Sequence, residues 1–174
     1  MRALLVALTA SLIVCPAFAK PKEKIVVPIK TAPGEDAGKA TFEEGKKGVK
    51  VKIELKNLPF GPHGVHIHQT PSCTPPDFKS AGGHFNPDQK QHGTMNPLGH
   101  HNGDLPQNIS IGEDHTGSAT FKVNYLSMTE GSPNNILANG GTSIMVHEKP
   151  DDMKTDPTGN AGNRIACAVI IGMP

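Results

Sequence analysis

The most regular feature of the chain is an alternation of apolar and polar residues in short segments. Residues 49–55 (VKVKIEL) place Val, Ile and Leu at every second position, and the preceding residues 45–48 (GKKG) have the glycines of a hairpin turn. A period of two indicates β-strands with one buried face. Similar patterns recur at residues 25–29, 39–44, 64–68, 118–123, 143–147 and 165–171. These seven or eight strands, without sustained helical periodicity, predict an all-β sandwich or Greek-key barrel.

Two long segments do not fit the strand pattern. One spans residues 69–104 and the other spans residues 148–163. Loops of this length inside a compact domain are usually functional or disordered. The first segment carries four histidines, three of which are candidate ligands below, so we expect it to serve the function of the protein.

The first residues have the composition of an export signal. Arg2 precedes an almost wholly apolar run over residues 3–14, and residues 17–19 (AFA) have the small-x-small pattern of a signal peptidase site. The apolar run is too short for a helix that spans a bilayer core of about 30 Å. We therefore predict a cleaved signal over residues 1–19 and a single domain over residues 20–174. The alternative is a lipoprotein anchored at Cys15, which the flanking Val14 and Pro16 disfavour.

Loss of the signal would change the cysteine count and the charge. Cys73 and Cys167 would remain, and an even pair in an exported chain indicates one structural disulfide. It would close a loop of about 95 residues, for which chain entropy allows roughly 4–5 kcal/mol of stabilisation. The 17 Lys and Arg residues less Arg2 leave 16, against 16 Asp and Glu. This neutrality gives no reason to expect nucleic acid or a membrane surface as a partner.

Histidines carry the candidate chemistry. His66 and His68 lie two residues apart on a predicted strand, so both side chains project from the same face. This spacing suits two imidazoles on one metal ion, although it also suits two polar residues on a solvated face. The pair by itself does not decide between these alternatives.

A second group of residues favours metal binding. His84, His92, His101 and Asp104 lie on the first long segment, and three imidazoles with one carboxylate form a shell typical of tetrahedral zinc. His147 ends a later apolar strand and can complete an all-histidine site with His66 and His68. Such a site, with an open position, suits copper, which has the highest affinity among the divalent first-row metals.

Six motifs, in order along the chain, resemble those of the copper–zinc superoxide dismutases. They are GVHIH at residues 64–68, SAGGHFNP at 80–87, HG at 92–93, HNGDL at 101–105, VHEKPDD at 146–152 and GNAGNRIAC at 159–167. The resemblance implies an eight-stranded Greek-key β-barrel or sandwich with two long functional loops. It also implies an enzyme that disproportionates superoxide to dioxygen and hydrogen peroxide by copper redox cycling, while zinc holds a bridging histidine.

The resemblance assigns a role to each matching residue. The copper ligands would be His66, His68, His84 and His147, and the zinc ligands would be His84, His92, His101 and Asp104. His84 would thus be shared between one copper and one zinc per chain. Asp151 would link a copper ligand to a zinc ligand, Arg164 would dock the superoxide anion beside the copper, and Cys73 and Cys167 would form the intrasubunit disulfide. His63, His100 and His115 match no ligand position.

Loop lengths resemble the secreted bacterial branch of the family. Only residues 69–72 separate His68 from Cys73, and the segment between His147 and Arg164 is short. The resemblance therefore implies a periplasmic protein and allows a homodimer. Steering charges of the cytosolic eukaryotic branch cannot be transferred, so Lys149 and Lys154 are the candidates here.

Two other functions compete with dismutation on the same scaffold. A periplasmic copper carrier would need ligands but neither a docking arginine nor a zinc-held bridge, so Arg164 and the zinc set argue against it. An inactive domain that keeps only zinc would have no use for His66, His68 and His147.

Overall fold

The computed structural model describes residues 24–172, so the export signal predicted over residues 1–19 lies outside the described residues. This part of the chain forms nine β-strands and two short 3-10 helices, at Lys79–Ala81 and Ala138–Gly140. The strands are β1 (Lys24–Thr31), β2 (Asp36–Glu44), β3 (Val49–Lys56), β4 (Gly61–His63), β5 (Val65–His68), β6 (Ile109–Ile111), β7 (Thr116–Val123), β8 (Thr142–His147) and β9 (Arg164–Ile170). Within residues 24–172, no helix is long and apolar enough to cross a membrane.

The strands form antiparallel sheets. Seven of them lie in the order β5-β8-β9-β1-β2-β3-β7, and β4 pairs with β6. The short pair lies next to both edges of the large sheet, because β4 continues into β5 after Gly64 and a tight turn joins β6 to β7. The all-β prediction is confirmed, and both long segments are loops. Counting β4 and β5 as one strand interrupted at Gly64 gives the eight strands that were expected.

Alternation along the strands places the core on one side of the sheet. In β1 the residues Ile25, Val27 and Ile29 are buried while their neighbours are exposed. The strand β5 differs, because all four of its residues are buried. Val65 and Ile67 pack in the hydrophobic core, whereas the alternate positions, His66 and His68, point to the opposite face. The two long loops cover that face and bury these histidines.

Cys73 and Cys167 form the predicted disulfide. Their Cα atoms are 5.8 Å apart, and the bond joins the first long loop to β9 across a sequence separation of 94 residues. Cys167 is buried in a small cluster with Phe78 and Met145. The disulfide therefore anchors the start of the histidine-bearing loop against the sheet.

Replacing both cysteines with alanine is expected to lower the free energy of unfolding by about 2–5 kcal/mol, because the unfolded chain regains the entropy of a long closed loop. Urea denaturation of the metal-free protein measures this change. The matched control is wild-type protein under reducing conditions, which should show the same shift. An unchanged denaturation midpoint in the double variant would contradict a stabilising role for the bond.

Candidate metal centre

Two neighbouring strands bring three of the predicted histidines together. The strand β5 pairs with β8, with Val65 opposite Val146, so that His66 and His68 lie beside His147 at the end of β8. The first long loop returns to β5 through a bridge between His68 and His84. One ring nitrogen from each of His66, His68, His84 and His147 lies within 4.8 Å of the others, and all four residues are buried.

In each imidazole, the hydrogen bond made by one ring nitrogen indicates that the other nitrogen is free to bind a metal. His66 Nε2 lies 2.7 Å from Asp151 Oδ2, and His84 Nδ1 lies 2.9 Å from Asp104 Oδ1. The remaining atoms, His66 Nδ1 and His84 Nε2, are buried and have no hydrogen-bond partner. A buried polar atom without a partner costs about 1–3 kcal/mol, so these nitrogens are expected to have a ligand.

The other two histidines of this group show the same division. His68 Nδ1 donates to the Gly82 carbonyl at 3.0 Å, and His147 Nδ1 lies 3.4 Å from the Gly162 carbonyl. Their Nε2 atoms face each other at 3.4 Å. A proton held at Nδ1 leaves the Nε2 lone pair available for a metal. The group therefore presents His66 through Nδ1 and the other three residues through Nε2.

A second group of donors converges on Asp104. Its Oδ1 atom lies 2.9 Å from His84 Nδ1, 3.0 Å from His92 Nδ1 and 3.3 Å from His101 Nδ1. The His84 and His101 Nδ1 atoms are also 3.3 Å apart. Donors about 2.0–2.1 Å from a tetrahedral zinc ion lie roughly 3.3 Å from one another. These four spacings are thus close to that value, while the group of donors that all lie within 4.8 Å of one another consists of His66, His84, His92 and Asp104.

Backbone groups orient the Asp104 carboxylate. Its second oxygen, Oδ2, accepts hydrogen bonds from the backbone amides of Gly93 at 2.8 Å and His101 at 3.0 Å. Oδ1 is therefore the oxygen left to face the three imidazoles. His92 Nδ1 is buried and lies within reach of Oδ1, but it makes no hydrogen bond of acceptable geometry. This arrangement suits a cation between the two atoms better than a shared proton.

Asp151 joins the two groups. Its Oδ2 contacts His66 Nε2 at 2.7 Å, and its Oδ1 contacts His92 Nε2 at 2.9 Å. Gly159 allows these contacts, because a Cβ atom at that position would lie 1.8 Å from Asp151 Oδ1. Asn108 holds the backbone of Asp151 with two hydrogen bonds, donating to its carbonyl at 2.9 Å and accepting from its amide at 2.8 Å.

The charge states favour metal binding by neutral imidazoles. Burial lowers the pKa of His66 to about 4, and burial together with the neighbouring His66 lowers the pKa of His84 to about 3. Burial likewise lowers the pKa of His147 to about 4. Burial acts in the same direction on His92, but Asp104 and Asp151 outweigh it and raise the pKa to about 9. Most of the rings are therefore neutral at pH 7, the state that binds metals.

We expect the metal-free protein to lose stability as the pH falls from about 6.5 to about 4. His66, His84 and His147 have folded-state pKa values below the ordinary value of 6.5, so the unfolded chain binds more protons in this window. His92 acts oppositely, and its contribution is lost as the pH rises from 6.5 to about 9. Urea midpoints of the metal-free protein between pH 4 and 9 test this expectation, and equal midpoints at about pH 7 and pH 5 would refute it.

Arg164 lies at the edge of the all-histidine group. It is opposite His147 in the pairing of β8 with β9. Its guanidinium donates to the carbonyls of Phe78 and Gly82, each at 2.7 Å. Since Gly82 also accepts from His68, the guanidinium and this imidazole meet at one carbonyl oxygen. Two of the five guanidinium N–H groups are thus engaged, and the half-buried side chain keeps three donors for an anion.

The remaining histidines belong to neither group. His63 is buried, with its ring nitrogens 2.7 Å from the His147 carbonyl and 2.9 Å from the Pro59 carbonyl. His100 packs on the Tyr125 ring at a centroid distance of 4.1 Å, and His115 is exposed. Sequence analysis did not identify Asn108, and it assigned no role to Gly159, the first residue of a matching motif. Asn108 acts through two hydrogen bonds to the Asp151 backbone, and Gly159 acts by leaving space for the Asp151 carboxylate.

The comparisons with known proteins identify the family. Residues 36–170 match the family model for copper/zinc superoxide dismutase. The chain is 45% identical over 140 residues to superoxide dismutase [Cu-Zn] 1 of Aquifex aeolicus, with 79% of this chain and 81% of that protein covered. It is 40% identical over 177 residues to the superoxide dismutase [Cu-Zn] of Deinococcus radiodurans, with 95% and 92% covered. The chain belongs to the copper/zinc superoxide dismutase family.

Solved structures agree with this membership. The Cu/Zn superoxide dismutase of Brucella abortus superposes with a TM-score of 0.69 at 31% identity, covering 85% of this chain and 99% of that one. A SOD-like protein from Bacillus subtilis superposes with a TM-score of 0.80 at 38% identity, covering 84% and 97%. The predicted family, the oxidoreductase class and the pair of metals are thereby confirmed.

Proposed function

We propose that the chain disproportionates superoxide at a copper held by His66, His68, His84 and His147. The observation that supports this most directly is the pair of buried nitrogens without partners, His66 Nδ1 and His84 Nε2, which face the same group of rings. Four neutral imidazoles match the preference of copper for nitrogen ligands. Asp151 fixes the proton of His66 at Nε2, which leaves Nδ1 for the metal.

The zinc ion is assigned to His84, His92, His101 and Asp104. A competing set replaces His101 with His66, whose ring nitrogen also lies within 4.8 Å of the other three donors. His101 is the better candidate, because its Nδ1 lies 3.3 Å from both Asp104 Oδ1 and His84 Nδ1. His66 already uses Nε2 for Asp151 and turns Nδ1 toward the all-histidine group. His84 would then hold one metal through each ring nitrogen.

In the reaction, copper supplies a one-electron redox change, by which one superoxide is oxidised to dioxygen and a second, with two protons, is reduced to hydrogen peroxide. Arg164 would attract and orient the anion with its free N–H groups. His84 would take up a proton at Nε2 and return it to the product, because its Nδ1 side is fixed by Asp104 and its neighbours. Asp151 keeps the rings of His66 and His92 aligned during the cycle.

A copper carrier is the second candidate, since the relative from Bacillus subtilis is called only SOD-like. A carrier has no use for a half-buried guanidinium held by two carbonyls beside the metal ligands. It also needs no second group of donors to hold one of its copper ligands. The docking arginine and the zinc residues therefore favour the enzyme.

The decisive experiment is an assay of superoxide removal by purified protein with measured metal content. We expect one copper and one zinc per chain, with activity proportional to copper. Protein with zinc alone is the control and should be inactive. Bound copper without superoxide removal would support the carrier, whereas zinc alone after copper loading would rule out the copper site.

Export to the periplasm is part of the proposal, with residues 1–19 as the cleaved signal. The bacterial relatives and the disulfide support it. Mass spectrometry of the exported protein should find Lys20 as its first residue, whereas a lipid on Cys15 would indicate the lipoprotein. A homodimer, and the absence of nucleic-acid and membrane partners, remain predictions, and sedimentation of the mature protein tests the first of them.

A further inference from the structure

Asp156 contacts two of the residues assigned to zinc, although it belongs to neither donor group. Its Oδ1 accepts a hydrogen bond from the His92 backbone amide at 2.6 Å. The same oxygen lies 3.7 Å from His101 Nε2. His92 and His101 approach Asp104 through their opposite nitrogens, Nδ1, at 3.0 and 3.3 Å. One carboxylate thus faces both residues from the side away from the zinc position.

The position of Asp156 is fixed even though its side chain is 46% exposed. The two long loops run alongside each other here, because the Met95 amide donates to the Met153 carbonyl at 2.9 Å. The Asn96 side chain donates to the Lys154 carbonyl at 3.2 Å. These bonds fix the second loop against the first at Met153 and Lys154, just before Asp156. The Asp156 carboxylate is thereby placed beside the His92 amide.

The contacts have a physical consequence for metal binding. When His101 binds a cation through Nδ1, its proton resides on Nε2 and the ring becomes more positive there. A carboxylate facing that nitrogen stabilises the bound form and fixes the ring orientation. Asp151 already has this relation to His92 Nε2 at 2.9 Å. Asp156 supplies the corresponding charge for His101 and also holds the backbone from which His92 projects.

We infer that Asp156 is a positioning residue of the zinc site, which ties the second long loop to His92 and His101 and so holds zinc in place. The inference rests on the zinc assignment made above. It adds to Asp151 a second carboxylate from the same loop, which faces the ring of His101 while Asp151 contacts the ring of His92.

The experiment measures zinc affinity by competition with a chelator in protein free of copper. Asp156→Ala is expected to weaken zinc binding by about 10–100-fold, the usual cost of removing a partner of a ligand. Asp156→Asn keeps an oxygen for the His92 amide but loses the charge facing His101, so an intermediate loss is expected. The visible spectrum of cobalt bound in place of zinc should change in both variants, because the ligand geometry changes.

Asp152→Ala is the matched control. Asp152 lies in the same loop and accepts bonds from the amides of Lys154 and Thr155, but it contacts none of the assigned ligands. The Asp152→Ala variant should keep its zinc affinity within about threefold of wild type, a much smaller loss than the one expected for Asp156→Ala. Equal losses in Asp152→Ala and Asp156→Ala, or wild-type affinity and cobalt spectrum in Asp156→Ala, would overturn the inference. Wild-type protein that binds no zinc would instead contradict the proposed function.

Discussion

His84→Ala is expected to abolish superoxide removal and to weaken the binding of both metals. His84 is the residue common to the two donor groups, with Nδ1 at 2.9 Å from Asp104 and Nε2 buried without a partner. Its removal takes one donor from each site and also opens a cavity between the rings of His66 and His92, whose centroids lie 4.1 and 5.1 Å from that of His84. Each affinity should fall by more than the roughly 10–100-fold typical of losing an outer partner of a ligand.

Chelator competition and elemental analysis measure this result, and two variants serve as controls. His92→Ala should weaken zinc strongly and copper less, because His92 is not a member of the all-histidine group. Its ring lies beside those of His66 and His84, at centroid distances of 5.4 and 5.1 Å, and it shares Asp151 with His66. His100→Ala removes a histidine next to His101 that packs on Tyr125, and both metals should remain. Wild-type copper affinity in His84→Ala would show that the two sites do not share this residue.

The strands and the histidines on them followed from short-range patterns. The period of two placed Val65 and Ile67 in the core and His66 and His68 on the other face, as the structure has them. β6 was missed because its three residues, Ile109–Ile111, are too few to show a period. The missed strand has a consequence for the site, since Asn108 immediately precedes it and holds the backbone of Asp151.

Other features of the site could not be predicted from the types of residue in the sequence. Arg164 is held by the carbonyls of Phe78 and Gly82, and every residue has a carbonyl. Which nitrogen of His66 or His84 is free depends on the partner of the other nitrogen, which a loop brings from 20 or more residues away. Asp156 stands in a loop of polar residues and is distinguished only by the register of that loop against residues 92–96. All of these contacts depend on the three-dimensional path of the loops.

Arg164→Glu is expected to lower the rate of superoxide removal by at least about tenfold while both metals stay bound, because local charge raises the capture rate of an anion by about 10–1,000-fold. The guanidinium lies beside His68 and His147, and a carboxylate there would repel the anion from the copper position. Arg164→Lys keeps the charge but loses the planar fork that reaches both carbonyls. The lysine variant is therefore expected to lose only a few-fold in the rate of superoxide removal, less than the full gain that local charge gives to anion capture.

Salt dependence separates docking at Arg164 from general attraction by the protein. The predicted mature chain has almost no net charge, so any attraction has to come from nearby groups. The wild-type rate should fall as salt rises toward about 0.1 M, where charges more than about 10 Å apart are screened, and Arg164→Glu should lose or reverse this dependence. Lys149→Glu changes the same charge on the exposed second loop and is the matched control. If Arg164→Glu removes superoxide at the wild-type rate whereas Lys149→Glu is slower, the charge that attracts the anion lies on the second loop. Lys154 is then the next position to test.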